Sequence, residues 1–262
     1  MKFSKLLIFS FLAGLFFSCD TIEEDERFIG PVEFTPKKNV LIEDFTGQRC
    51  INCPKAADAV HALQETYGAS HVISVAVHGG AMSLPNTTTV GLATPLGEEY
   101  NSYWNIAAWP VGLVDRAGGL LEYTSWSASV VKRLQEEPAV SLSMEGNTYD
   151  AATRTVSINV DMLGHANISG KLQVWLVESN ITAYQRMPDG SHNTSYVHNH
   201  VLRDAVNGSW GEEVAVATDA TLQKQYTYEL NSSWNAENMS VIAFVYNNAE
   251  GVMQVIEQPI TE

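Results

Sequence analysis

Three cysteines stand in this chain of 262 residues, and two of them are close neighbours in the run Cys50-Ile51-Asn52-Cys53. Two thiols at that spacing can close a short disulfide, exchange it with another thiol, or supply half of a tetrahedral zinc site. Zinc would need two further ligands, and the chain has no second cysteine pair. One local bridge is also too little to act as a disulfide scaffold for a chain of this length. A second group is His192, His198 and His200, where the last two are expected to project from one face of a strand. Imidazoles at that spacing can begin a zinc or copper site, with His192 as a third ligand. They serve equally as hydrogen-bond partners of loop backbone, and this structural reading is the expectation, so no metal and no cofactor is assigned. No Ser-His-Asp order, phosphate loop, paired-carboxylate motif or EF-hand pattern is present. Aromatic residues are dense at Tyr100, Tyr103, Trp104, Trp109 and Trp126, either as packing or as a surface that grips peptide or sugar.

The segments around Cys50 and Cys53 read as strand, turn and helix. Val40–Phe45 is rich in strand-forming residues and ends at Thr46-Gly47. After Cys53, Pro54 suits a first helical turn, and Ala56, Ala59, Val60, Leu63 and Tyr67 recur at three-to-four-residue intervals up to Gly68. Val72–Val77 is nearly continuous in apolar residues, as a buried parallel strand should be. A helix is expected from Thr94-Pro95 through Trp104, an extended segment over Trp109–Asp115, and an amphipathic helix over Ser127–Glu136. At the start of the first helix, Cys50 is expected to be the exposed thiol, made acidic by the helix dipole and by Arg49, with Cys53 covered and one turn inside.

This order resembles the thioredoxin fold. Asp44-Phe45 lies where that family carries Asp-Phe, six residues before the first cysteine, and Pro110 lies where it has a cis-proline. The resemblance implies that Asp44 moves a proton during exchange at Cys50 and Cys53, and that Pro110 flanks the sulfurs while Trp109 offers backbone groups to a bound peptide. It also implies exported protein thiols or disulfides as partners. Departures are a long Gly/Thr-rich connection from Gly79 to Ala93, the bulky Trp109 before the proline, and Gln48-Arg49 where an aromatic residue is usual. With neither Ile51 nor Asn52 charged, the expected potential lies toward the reducing end of about −270 to −120 mV.

Lys2 and Lys5 precede an apolar run from Leu6 to Phe17 that meets Ser18-Cys19, the pattern of an export signal over residues 1–18. The run falls short of the roughly 20 apolar residues that span a bilayer, and no other segment approaches that length. Ser18-Cys19 resembles a bacterial lipoprotein processing site, which implies lipidation of Cys19 and a membrane anchor. An ordinary signal peptide with a chance cysteine is the alternative. Residues 19–36 then form a tether, acidic at Asp20–Glu26; acids just after a lipidated cysteine also resemble surface-export signals, which leaves the periplasmic and cell-surface sides both open. Thirty acids against fifteen Lys and Arg give a net charge of −15, which excludes nucleic acid as a partner.

From Ala139 the period changes to strict alternation: Val140, Leu142 and Met144, then Val156, Ile158, Val160 and Met162, then Leu172, Val174 and Leu176. About seven half-buried antiparallel strands are expected, as in an immunoglobulin-like β-sandwich. The fold class read from the chain is therefore an α/β thioredoxin-like domain over residues 37–137 followed by an all-β sandwich over residues 138–262. The phrases Glu43–Gly47, Cys50 to Pro54 and His198-Asn199-His200-Val201-Leu202-Arg203 resemble the outer membrane protein 28 family of exported lipoproteins. Two functions follow: thiol–disulfide exchange at the outer membrane, or binding of a protein or glycan partner with Cys50–Cys53 as a static disulfide.

Overall fold

The computed structural model describes residues 35–86 and 90–261. The export signal, Cys19 and nearly all of the tether lie outside the described residues. Among the described residues no helix is long and apolar enough to cross a membrane.

Strand β1 (Val40–Thr46) is buried along its whole length, and β2 (Val72–His78) runs parallel to it with Thr46 opposite His78. Between them lies α1 (Cys53–Tyr67), which has proline in its first turn and buries Cys53, Ala56, Val60 and Leu63. It stops at Gly68, whose φ of 93° no side chain adopts comfortably. Helix α2 (Pro95–Tyr103) is capped by the Thr94 hydroxyl, which accepts from the Gly97 N–H at 3.0 Å. Then follow β3 (Val111–Val114), antiparallel to β1, the short β4 (Leu121–Glu122) and α3 (Trp126–Leu134).

The remaining elements are strands, apart from one 3-10 turn at Ala236–Asn238: β5 (Val140–Ser143), β6 (Thr148–Asp150), β7 (Thr155–Gly164), β8 (Ile168–Glu178), β9 (Ile181–Arg186), β10 (His192–His198), β11 (Val201–Ala205), β12 (Glu212–Val216), β13 (Thr221–Glu229), β14 (Met239–Asn247) and β15 (Gly251–Pro259). The alternation read from the sequence is real: β7 buries every second residue. What alternation does not reveal is which strands pair. A single sheet runs β15-β14-β8-β11-β2-β1-β3-β4, so strands from both sides of residue 138 share it, and residues 36–262 form one compact unit. The join is β11, parallel to β2 at Val201–Ala76 and antiparallel to β8.

Side-chain alternation then assigns the two faces. On one, Leu41, Phe45, Ile73, Val75, Trp175, Ile242 and Phe244 pack with α2. On the other, α1 and α3 cover the β1–β2 end, while a second sheet, β13-β7-β5 with β6 beside β7, covers the β8–β14 end. Between those covers, on the same face, sits the two-stranded hairpin β9–β10, whose Ala183 packs against Leu92 and Val201. That hairpin lies beside the cysteines.

Candidate functional site

The chain leaves β1 at Thr46 and turns sharply. Gly47 is needed there, because a Cβ would come within 2.4 Å of the Met82 carbonyl oxygen. The Cys50 N–H donates to the Gly47 oxygen at 3.0 Å, and the Arg49 N–H donates to the Met82 oxygen at 2.8 Å. These bonds place Cys50 against the first turn of α1, where it is joined to Cys53 as a disulfide with Cα atoms 5.4 Å apart. The Cys53 backbone N–H donates to Cys50 Sγ at 3.1 Å. A helix N-terminus with a donor aimed at the sulfur favours the thiolate once the bond opens.

One expectation is corrected here. Cys50 is not the exposed member of the pair: it is 4% exposed and Cys53 3%. The cover comes from far along the chain. Gln185 of β9 donates through Nε2 to the Cys50 carbonyl oxygen at 2.8 Å, the Arg186 N–H donates to the Gln48 oxygen at 2.8 Å, and Gln48 Nε2 donates to the Tyr184 oxygen at 3.1 Å. The segment from Tyr184 to Ser195 is most of the β9–β10 hairpin. Its turn carries Pro188-Asp189-Gly190, with Gly190 at φ 84° and the Met187 N–H donating to the Ser191 oxygen at 2.9 Å. That tripeptide is a turn signature with a mechanism, and it was the available signal for the hairpin.

Between α1 and the hairpin lies a cavity of about 210 Å³, lined by Asp44, Cys53, His78, Gln185, Tyr196 and His198 among others. Asp44 sits here, as expected, in the same cavity as Cys53. Its Oδ1 and the Nδ1 of His78 are buried with no hydrogen-bond partner among the described residues. Burial alone lifts the Asp44 carboxyl from 3.8 to about 8, so it holds its proton at neutral pH. Burial, helped by the His198 charge, lowers His78 to about 3, and burial lowers His198 to about 4. The two imidazoles meet edge-on with centroids 5.6 Å apart, joining the β2 end to the hairpin. His78 was missed in the sequence. Its place at the C-terminal end of a parallel strand, opposite the end of β1, was the available clue, since ligand sites gather at such strand ends.

His192 is exposed and bonded to the Tyr184 hydroxyl through Nδ1 at 3.0 Å. Strand β10 ends at His198, and His200 takes a left-handed φ of 53°, so the two do not share a strand, although both line the Asp44 cavity. His200 Nδ1 lies 3.9 Å from Glu257. Among the described residues no three His, Cys, Asp or Glu side chains gather as metal ligands. The Trp109–Pro110 peptide bond is cis. Trp109 borders a depression shared with Cys50, whereas Pro110 is buried. The dense aromatics divide: Trp126 and Tyr100 are core residues, and Tyr103 lies on the surface against Trp210.

A family model described as outer membrane protein Omp28 matches residues 97–262, so Asp44, Cys50 and Cys53 precede the matched segment. No curated protein matches the chain. Among solved structures, HBP35 of Porphyromonas gingivalis aligns with a TM-score of 0.68 at 17% identity, over 86% of this chain and 76% of that one. That likeness is one of fold. A domain of the outer membrane lipoprotein Omp28 from Porphyromonas gingivalis is 26% identical over 47% of this chain and 88% of that one, with a TM-score of 0.32.

Proposed function

The chain belongs to the Omp28 family of outer membrane proteins, and from that premise we propose that it is a lipid-anchored envelope protein, held through Cys19, whose Cys50–Cys53 pair exchanges disulfides with exported proteins. The order β1-α1-β2-α2-β3-β4-α3, with the cysteines at the start of α1, supports a thioredoxin-like reading of residues 37–137, and the sheet β13-β7-β5 facing β8 and β14 supports an immunoglobulin-like reading of the strands after residue 138. The observation that carries the exchange reading is Asp44. A buried carboxyl oxygen without a partner costs stability, and a static disulfide has no use for it. A disulfide that opens does, because its departing sulfur needs a proton.

The step balances as follows. A thiolate of the partner attacks Cys50 Sγ, the Cys50–Cys53 bond breaks, and Cys53 leaves with the electron pair and takes the Asp44 proton. A second partner thiolate then attacks the partner's sulfur in the mixed disulfide, and Cys50 departs as a thiolate held by the Cys53 N–H. The partner is left with a disulfide and this chain with a Cys53 thiol, a Cys50 thiolate and an ionised Asp44 that regains its proton from solvent, two electrons having passed from the partner to the cysteines. In the reverse direction Asp44 takes the proton from Cys53.

A second reading rests on the burial of both sulfurs under Gln185: a static disulfide in a lipoprotein that binds a protein or glycan partner. In the exchange reading the hairpin lifts to admit the partner. Replacing Cys53 by alanine separates the two. Exchange predicts that C53A traps mixed disulfides with envelope proteins through Cys50, whereas the static reading predicts none and no reductase, oxidase or isomerase activity in the wild type.

A further inference from the structure

Cys50, though buried, borders a surface depression of about 470 Å³ between the cysteine loop and the hairpin. Arg49 contributes one rim from the loop and Arg186 the other from the end of β9, both exposed. Among the described residues most other cations are held by carboxylates: Lys38 and Arg133 by Asp115, Arg116 by Glu43, Arg203 by Glu178, Lys224 by Glu212, while Arg154 is spent on the Asn231 and Trp234 carbonyl oxygens. Arg49 and Arg186 have no carboxylate partner among the described residues. Lys55, exposed in the first turn of α1, likewise has none, and the 15-residue helix adds its partial positive charge at the same end. The carboxylate one turn further along, Asp58, acts on Tyr196 of the separate Asp44 cavity. The floor between the arginines is apolar, formed by Met82, Trp109 and Ile51, which is 40% exposed.

In a chain of net charge −15, a positive rim around an apolar floor at the mouth of the disulfide is a local reversal of the global sign. Free guanidiniums present their fork to carboxylates, and complementary rim charges select and steer a partner. We propose that Arg49 and Arg186 are recognition residues for an acidic polypeptide segment, one whose reacting cysteines are flanked by Asp or Glu and whose neighbouring apolar side chain rests on Met82 and Trp109. This rests on the exchange reading and names its substrate class.

The test uses the full chain, oxidised, and peptides of one common sequence flanked either by glutamates or by lysines. With both peptide cysteines replaced by serine, calorimetry at low salt reads docking without chemistry. The glutamate peptide is expected to bind about tenfold more tightly than the lysine peptide, since each exposed ion pair supplies about a two- to fivefold gain. The gap should shrink at high salt. Arg49→Glu with Arg186→Glu is expected to invert the preference, while Arg49→Lys with Arg186→Lys keeps its direction. Equal binding of the two peptides, or a preference that survives the double reversal, would overturn the assignment. The cysteine-bearing peptides test the underlying reading separately: loss of exchange with the charge preference intact removes the redox function and leaves acidic docking standing.

Discussion

Among the described residues two aspartates are buried, on or next to the paired strands β1 and β3, and they are treated in opposite ways. Asp115, at the end of β3, is fully buried with both oxygens engaged. The Leu41 N–H donates to Oδ1 at 2.8 Å, and Lys38 and Arg133 donate to Oδ2 at 2.7 and 2.8 Å. Lys38 and Arg133 also reach the Val252 carbonyl, and the Val252 N–H donates to the Asp115 backbone oxygen at 2.7 Å. The cluster therefore ties the segment before β1, the end of β3 and α3 to the start of β15. Asp44, on β1, has an oxygen with no partner and histidines rather than cations in its cavity. Desolvation acts on both, but only Asp115 is offset by opposite charges. The difference teaches where to look for chemistry: a completed buried cluster holds the fold, and an incomplete one holds a proton.

The largest effect is expected where the completed cluster is broken. Asp115→Ala leaves Lys38 in a dry interior without its counterion and Arg133 with Glu136 alone, which should destabilise the chain by about 3–5 kcal/mol in denaturant titrations. A loss within the range of surface substitutions would mean that the cluster is wetter and less important than its burial indicates.

Asp44→Asn should act in the other direction. The folded chain keeps the Asp44 proton up to about pH 8, whereas the unfolded chain releases it near 3.8. Folding stability contributed by this group is thus full in acid and declines as pH rises through that window. Asparagine has no such dependence, so the variant should gain several kcal/mol relative to wild type at pH 8 and nearly nothing at pH 4, while its exchange rate falls about 10- to 100-fold. Equal pH profiles for the two proteins would place Asp44 among paired residues.

A smaller effect of opposite pH sense belongs to His78. Its folded value of about 3 lies below the ordinary 6.5, so the unfolded chain takes up a proton first and stability is lost as pH falls from 6.5 toward 3. His78→Gln should recover about 3 kcal/mol at pH 4 and little at pH 8. Recovery at alkaline pH instead would contradict the neutral assignment of this ring.

Much of the site was legible because its parts are local. Cys50, Cys53 and Pro54 sit within one turn, Asp44 is six residues upstream, and the Thr94 cap and the apolar period of α1 declare their helices. The cover over Cys50 was not legible, since Gln185 reaches it across 135 positions and nothing in the local pattern of β9 says what lies beneath it. The same holds for the sheet. A two-residue period reports that a strand has a buried side, and it identified the strands after residue 138. It does not say that β11 inserts between β8 and β2 and fuses the two halves. His198 and His200 show the reverse failure: their spacing suggested a shared face, but one left-handed residue after β10 ended the alternation.

The central claim is that Cys50–Cys53 is a working redox pair and not a staple, and its reduction potential in glutathione buffers at neutral pH tests this most directly. A working pair with uncharged Ile51 and Asn52 between its cysteines should equilibrate between about −270 and −120 mV, toward the reducing end, whereas a potential below about −300 mV, where structural disulfides lie, would contradict the claim.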